Sequence, residues 1–312
     1  MTTHESDALI TIGDFIRWAA SRFQADGLHF GHGTDNALDE AAALVLGTLH
    51  LPPDLHAAYL ACRVTDAERA TLQQHIDRRR AERLPVPYLL GEAWFCGLAF
   101  KVNEDVLIPR SPIAELIEAR FEPWVDAEAV LRIADVGTGS GCIAIAAAMA
   151  FPGADVVALD NAPAAVALAA DNARRHGVGQ QVDVRHSDLL EAVPETPLLD
   201  LIISNPPYVD GQAMADLPAE YRHEPQAALA AGDDGLEVVR RLLPQAARRL
   251  SDQGVLVCEV GHGAEVFEAA FPALPVTWVE LAHGGAGVFV VDALTLREAF
   301  PAAQSPIVNG VD

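Results

Sequence analysis

Apolar residues at the start of the chain recur with helical spacing: Ile12, Phe15, Ile16, Ala19 and Phe23 fall on one face of a helix. A second helix is predicted from Leu38 to Leu49, stopping before Pro52-Pro53. A further one opens at Thr65-Asp66-Ala67-Glu68, whose Thr-x-x-Glu spacing matches a capping box, and runs through Leu72 and Ile76. It ends in Arg78, Arg79, Arg80 and Arg83, which suit a helix C-terminus. Residues 1–90 therefore read as a small N-terminal helical domain. From Gly91 to Ile108 the pattern turns β-like, with Trp94-Phe95-Cys96, then Gly97, then Phe100-Lys101-Val102, as in a hairpin linker over 91–108. Beyond it, strand-length apolar runs alternate with helical patterns: 131–136, 154–160, 181–187, 199–204, 254–260, 276–282 and 287–293. Such alternation predicts an α/β domain over 109–297, a parallel sheet with helices on both faces. Only Gly284-Gly285-Ala286-Gly287 separates the last two runs, so one antiparallel edge strand is expected. Residues 298–312 lack periodicity and are expected to form a flexible tail.

Two motifs stand at predicted strand ends. The run Leu199–Ser204 leads into Asn205-Pro206-Pro207-Tyr208. Proline has no amide hydrogen and a fixed φ, and a residue before proline is pushed to an extended conformation. The turn is therefore stiff, and its carbonyls lack their usual internal partners. The Asn205 carboxamide oxygen and the Pro206 carbonyl can accept both hydrogens of a planar –NH2 group, while Tyr208 offers a flat face to stack on. Asn205, Pro206, Pro207 and Tyr208 thus read as a clamp for an amide or exocyclic amine. By itself the tetrapeptide is also an ordinary turn composition. The second motif decides between them: Asp135-Val136-Gly137-Thr138-Gly139-Ser140-Gly141 follows one strand and opens a helix, and the next strand ends at Asp160. Glycines let a ligand lie against bare backbone, and an acidic residue about 20 positions on is placed to take ribose hydroxyls. Cys142 stands where a dinucleotide site would have glycine, and the spacing resembles instead the S-adenosylmethionine loop of Rossmann-like methyltransferases.

With Gly97–Val102, Leu107-Ile108-Pro109-Arg110, Asp234-Gly235-Leu236 and Glu259-Val260-Gly261, the chain resembles the HemK-type protein-(glutamine-N5) methyltransferases over about residues 10–295. Pro109-Arg110-Ser111-Pro112-Ile113, Gly31–Asn36 and Tyr221–Pro225 resemble the branch that modifies the third protein of the large ribosomal subunit, rather than the release-factor branch. The resemblance implies a seven-stranded class I methyltransferase domain, an N-terminal domain that recognises substrate, and S-adenosyl-L-methionine as cofactor. It places Asp135 near the methionine moiety, Asp160 on the ribose and Asp188 on the adenine amino group, with Gly137, Thr138, Gly139, Ser140, Gly141 and Asn205 around them. Arg110 is open to two roles, binding cofactor or substrate, or forming an ion pair with Glu115 or a neighbour. His262-Gly263 and Cys142 depart from the family pattern without removing the site.

Lys+Arg 21 against Asp+Glu 44 gives a net charge of −23, which opposes stable nucleic-acid binding and suits either attraction of a basic protein partner or solubility alone. The same balance turns the arginine cluster towards helix capping and domain contacts rather than RNA. Four scattered cysteines (Cys62, Cys96, Cys142, Cys258) suggest reduced thiols in a cytoplasmic protein with no structural zinc. His29 and His32 have a ligand-like spacing but no nearby cysteine or carboxylate, so no metal is predicted. The first residues lack a signal-peptide pattern, and no apolar run reaches membrane-spanning length. Three alternatives stay open: an adenine-N6 nucleic-acid methyltransferase, whose amine fits the same clamp; a release-factor glutamine methyltransferase; and a non-catalytic ribosome-assembly factor.

Overall fold

The computed structural model describes residues 8–301, so the first seven residues and the tail from Ala302 on lie outside the described residues. The chain forms two compact units: one takes the chain up to Arg110 together with Leu217–Pro225, and the other takes Ser111–Asp216 and the chain from Gln226 on.

The first unit is helical. Helix α1 (Ile12–Ala25) starts with a Thr11/Asp14 capping box, α2 (Ala37–Thr48) is capped by the Asn36 side chain, and α3 (Asp66–Glu82) begins at the Thr65/Glu68 box. The five α1 residues on the apolar stripe are all buried, against a core that includes Leu44, Val45, Leu72 and Ile76. Short α4 (Val86–Leu90) leads to strands β1 (Glu92–Phe95) and β2 (Leu98–Lys101), an antiparallel hairpin. Its turn residues Cys96 and Gly97 have φ of 48° and 70°, as a two-residue primed turn requires.

The arginines at the end of α3 are used internally. Arg78 pairs with Glu82 and Arg80 with Asp26, while Arg83 reaches the Gly27 and Asp26 carbonyls and Glu220. Arg79 is wholly buried: its Nε donates to Glu40 at 2.6 Å, Nη2 to the His29 carbonyl at 2.8 Å and Nη1 to Glu220 at 3.4 Å. Glu220 and Glu224 explain why Leu217–Pro225 belongs to this unit. Both carboxylates are buried, and Glu224 takes a forked guanidinium from Arg110 and the Ile108 amide.

The second unit is an α/β sandwich. Helix α5 (Ile113–Glu118) precedes β3 (Arg132–Val136), α6 (Cys142–Ala150), β4 (Asp155–Asp160), α7 (Pro163–Arg175), β5 (Val182–His186) and β6 (Leu199–Ser204). After α8 (Gly211–Asp216) and α9 (Glu237–Arg249) come β7 (Leu250–Glu259), α10 (Ala264–Ala270), β8 (Thr277–Trp278), β9 (Val288–Asp292) and α11 (Ala293–Ala299). The seven strands are ordered β5-β4-β3-β6-β7-β9-β8. Strands β3 to β7 run parallel, and their near-continuous apolar runs fit a sheet covered on both faces.

The reversed strand is not at the edge, as expected from sequence, but inside. β9 pairs antiparallel with both β7 and β8, and β8 shrinks to two residues. Val288-Phe289-Val290-Val291 is apolar on both faces and is buried throughout, so it takes the inner position, while Thr277 and Trp278 leave a partly exposed edge. No helix among the described residues is long and apolar enough to cross a membrane.

Arg79 holds two buried carboxylates, so Arg79→Ala is expected to destabilise the helical unit by about 3–5 kcal/mol, the usual effect of stranding a buried charge. Urea denaturation read by hydrogen exchange of the α1 and α3 amides measures this; an unchanged protection pattern refutes it.

Candidate active site

The chain builds outward from β3 in both directions, through β4 and β5 on one side and β6 and β7 on the other. Crevices for ligands form at such a reversal, beyond the carboxyl ends of the strands. Val136 and Ser204 are register partners there, and the buried Ser204 hydroxyl donates to the Val136 carbonyl at 2.8 Å. The glycine loop and the Asn-Pro-Pro-Tyr turn therefore leave from adjacent strand ends. A Cβ at Gly137 would stand 3.8 Å from the Asn205 carbonyl oxygen.

Gly137, Gly139 and Gly141 all adopt positive φ (77°, 55° and 84°). Gly137 and Thr138 amides both donate to the Leu159 carbonyl at 2.9 Å, pinning the loop to the end of β4. Gly141 must be bare, because a Cβ would sit 3.1 Å from that of Ala169 on α7. A Cβ at Gly139 would meet nothing within 4 Å, so the space over the loop is open.

The loop is held by carboxylates and by Asn172. Asp160 accepts from the Gly139 amide at 2.8 Å and from the Ala162 amide at 2.9 Å. Buried Asn172 donates to the Ser140 carbonyl at 2.8 Å. Asp135 is fully buried; its Oδ2 accepts from the Thr138 hydroxyl at 2.6 Å and the Ala144 amide at 3.0 Å. Asp135 Oδ1 and the Ser140 hydroxyl, by contrast, are buried without a hydrogen-bond partner. Burial pushes the Asp135 carboxyl up to about 7, against the lowering pull of Thr138 and Ala144, and the Asp160 charge adds to the rise.

Just past β6, the Asn205 carboxamide and the Pro206 carbonyl accept no hydrogen bond among the described residues. Asn205, Pro207 and Tyr208 are half-buried and Pro206 is buried. The chain after the turn is stapled at Val209, which donates to Leu229 and accepts from Ala231. Asp188 lies at the same end of the sheet, next to Ser187, whose amide donates to the Asp160 carbonyl at 2.9 Å. Its carboxylate is exposed and one oxygen is taken by Arg241.

Arg110 lies in the helical unit, forked onto Glu224 with its guanidinium 5.4 Å from the Tyr221 ring. Burial raises the Glu224 carboxyl, but the nearby His32 ring, 3.5 Å away, and the forked Arg110 guanidinium outweigh it and hold the group at about 2. Glu115, considered as a partner for Arg110, instead accepts the Ala282 and His283 amides at 2.7 and 2.8 Å. Ser204 and Asn172 were not legible as site residues; each acts on a partner distant in sequence.

Residues 123–266 match the family model described as methyltransferase small domain. The chain is 48% identical to the ribosomal protein uL3 glutamine methyltransferase of Bordetella pertussis, over 91% of this chain and 95% of that protein. It is 47% identical to the protein of the same name from Xanthomonas campestris, over 95% and 96%, and 44% identical to that from Neisseria meningitidis, over 93% and 96%.

Asp135 supplies a pH signature. Its folded pKa lies above the unfolded 3.8, so between these values the folded state holds the extra proton, and stability falls as pH rises from about 4 to about 7. Asp135→Asn removes that penalty. Its stability should match the parent near pH 4 and exceed it by roughly 2–4 kcal/mol at pH 8, measured by denaturation across pH. Parallel curves at all pH values contradict a raised Asp135 pKa.

Proposed function

The chain belongs to the family of ribosomal protein uL3 glutamine methyltransferases, and on that footing we propose that it methylates the side-chain amide nitrogen of a glutamine in uL3, using S-adenosylmethionine. The observation that carries this reading is the pair of unused acceptors, on Asn205 and Pro206, standing beside the open glycine loop.

The residues present fit the cofactor. The unpartnered Asp135 Oδ1 is a ready acceptor for an ammonium group, the bare Gly137–Gly141 backbone admits close approach, and Asp160 at the end of β4 can take ribose hydroxyls. Asp188 has an oxygen besides the one on Arg241 with which to accept from the adenine amine. Bound there, S-adenosylmethionine supplies an electrophilic methyl group on a sulfonium.

An amide nitrogen is a weak nucleophile, because its lone pair is delocalised into the carbonyl. Alignment is therefore the main contribution of the protein, worth roughly 7–11 kcal/mol when reacting atoms are held in line. The Asn205 carboxamide oxygen and the Pro206 carbonyl accept the two amide hydrogens, and the Tyr208 ring supports the amide plane. Transfer of that methyl group would move positive charge from the sulfonium onto the amide nitrogen. Both acceptors then bind more strongly than they do in the ground state, so they lower the barrier rather than only the KM. The excess proton leaves to water, and no side chain is required as a general base. The net charge of −23 favours encounter with a basic ribosomal protein, and the four scattered cysteines accord with a reducing cytoplasmic setting.

Purified enzyme with labelled S-adenosylmethionine should place one methyl group on a glutamine of uL3, located by peptide mass spectrometry, when offered uL3, a release factor and unmethylated DNA in parallel. Label on a release factor or on adenine instead refutes the assignment. Asn205→Ala should lower turnover about 10²–10³-fold, as loss of one charge-stabilising contact does, with S-adenosylhomocysteine affinity retained. Normal turnover in that variant excludes the clamp.

A further inference from the structure

Tyr208 is placed by backbone distant from it in sequence. Its ring lies on Gly261, just past β7: a Cβ there would stand 2.6 Å from Tyr208 Cε2 and 2.9 Å from Cδ2. The Tyr208 carbonyl is equally tight against Gly235, where a Cβ would overlap it. Both glycines have positive φ, 52° and 75°. Gly261 is itself fixed, because the Val260 amide donates to the Gly287 carbonyl at 2.7 Å and a Cβ on Gly287 would overlap the Gly261 carbonyl. The antiparallel register of β7 and β9, with Glu259 opposite Val288, brings these two glycines together. One residue earlier, the buried Glu259 carboxylate accepts the Ser111 hydroxyl at 2.6 Å, which fixes the turn at its start. The Val209 bridge closes the other side.

We infer that Gly261 is a positioning residue for methyl transfer, setting the height of the Tyr208 ring under the acceptor amide. The inference rests on the glutamine-amide reading. Any side chain at 261 displaces the ring by most of an ångström, since ordinary contact begins at 3.4 Å and a Cβ would start at 2.6 Å.

The test is a double-mutant cycle. Gly261→Ala is made in the parent and in Tyr208→Ala, with kcat/KM for uL3 methylation and S-adenosylhomocysteine affinity measured for each. In the parent, kcat/KM should fall about 100-fold, the scale of a 1 Å misplacement, chiefly in kcat. In the Tyr208→Ala background the same substitution should change kcat/KM by no more than about twofold, because the contact it acts through is gone. Cofactor-product affinity should hold in all four proteins, which also shows that they are folded. Equal losses in both backgrounds, or loss of cofactor affinity, overturn the inference. Gly235→Ala meets the Tyr208 carbonyl, which Tyr208→Ala keeps, and serves as the control: its loss should be the same in both backgrounds. A parent enzyme that puts no label on a uL3 glutamine removes the amide reading and this inference with it; a parent that labels glutamine while the cycle is additive removes the inference alone.

Discussion

The bond from the Ser204 hydroxyl to the Val136 carbonyl joins the ends of the two central strands, and the site depends on that junction. Parallel pairing of β3 with β6 puts Val136 opposite Ser204, so the next residues on each strand emerge side by side. One strand continues into bare backbone that can receive a cofactor, the other into a stiff turn with two unused acceptors. A shift of register would separate them, and neither motif does anything useful without its neighbour. The buried hydroxyl is itself satisfied by this bond, as a buried polar group requires.

Around the junction the protein keeps features that a purely stable fold would remove. A carboxyl group is buried in β3 with one oxygen unpartnered, a serine hydroxyl in the loop after it likewise, and three glycines of that loop hold left-handed backbone. Each is unfavourable alone, and each is tolerated because the surrounding β strands are apolar on both faces and closely packed. Clusters of locally unfavourable groups mark functional regions in otherwise consistent structures.

Much of this was legible in the sequence, and what was not has a common cause. The α1 stripe, the Thr65 capping box, the strand runs and both site motifs announce themselves through spacing within a few residues. Arg79 does not: in the sequence it is one of a run of helix-end arginines, and only Glu40 and Glu220 make its burial possible. The inner place of β9 depends on what lies on both sides of Val288–Val291, which a pattern of apolar residues cannot distinguish from an edge. Ser204 reads as the last residue of a strand, and Gly287 as one glycine among several in a loop. Their roles are set by Val136 and Gly261, so they exist only once the sheet is assembled.

The return of Leu217–Pro225 to the helical unit has a consequence for how the protein emerges from the ribosome. Arg79 and Glu220 are 141 residues apart, and Arg110 and Glu224 are 114 apart. The helices at the start of the chain are therefore synthesised long before the carboxylates that complete their interior. Domains commonly fold in order of synthesis, N-terminal first. Here the first domain stays unfinished, with cationic side chains awaiting partners, until most of the catalytic sheet has been made. The two halves are thus tied in time as well as in chain order, and a fragment ending near Arg110 is not a natural unit of this protein.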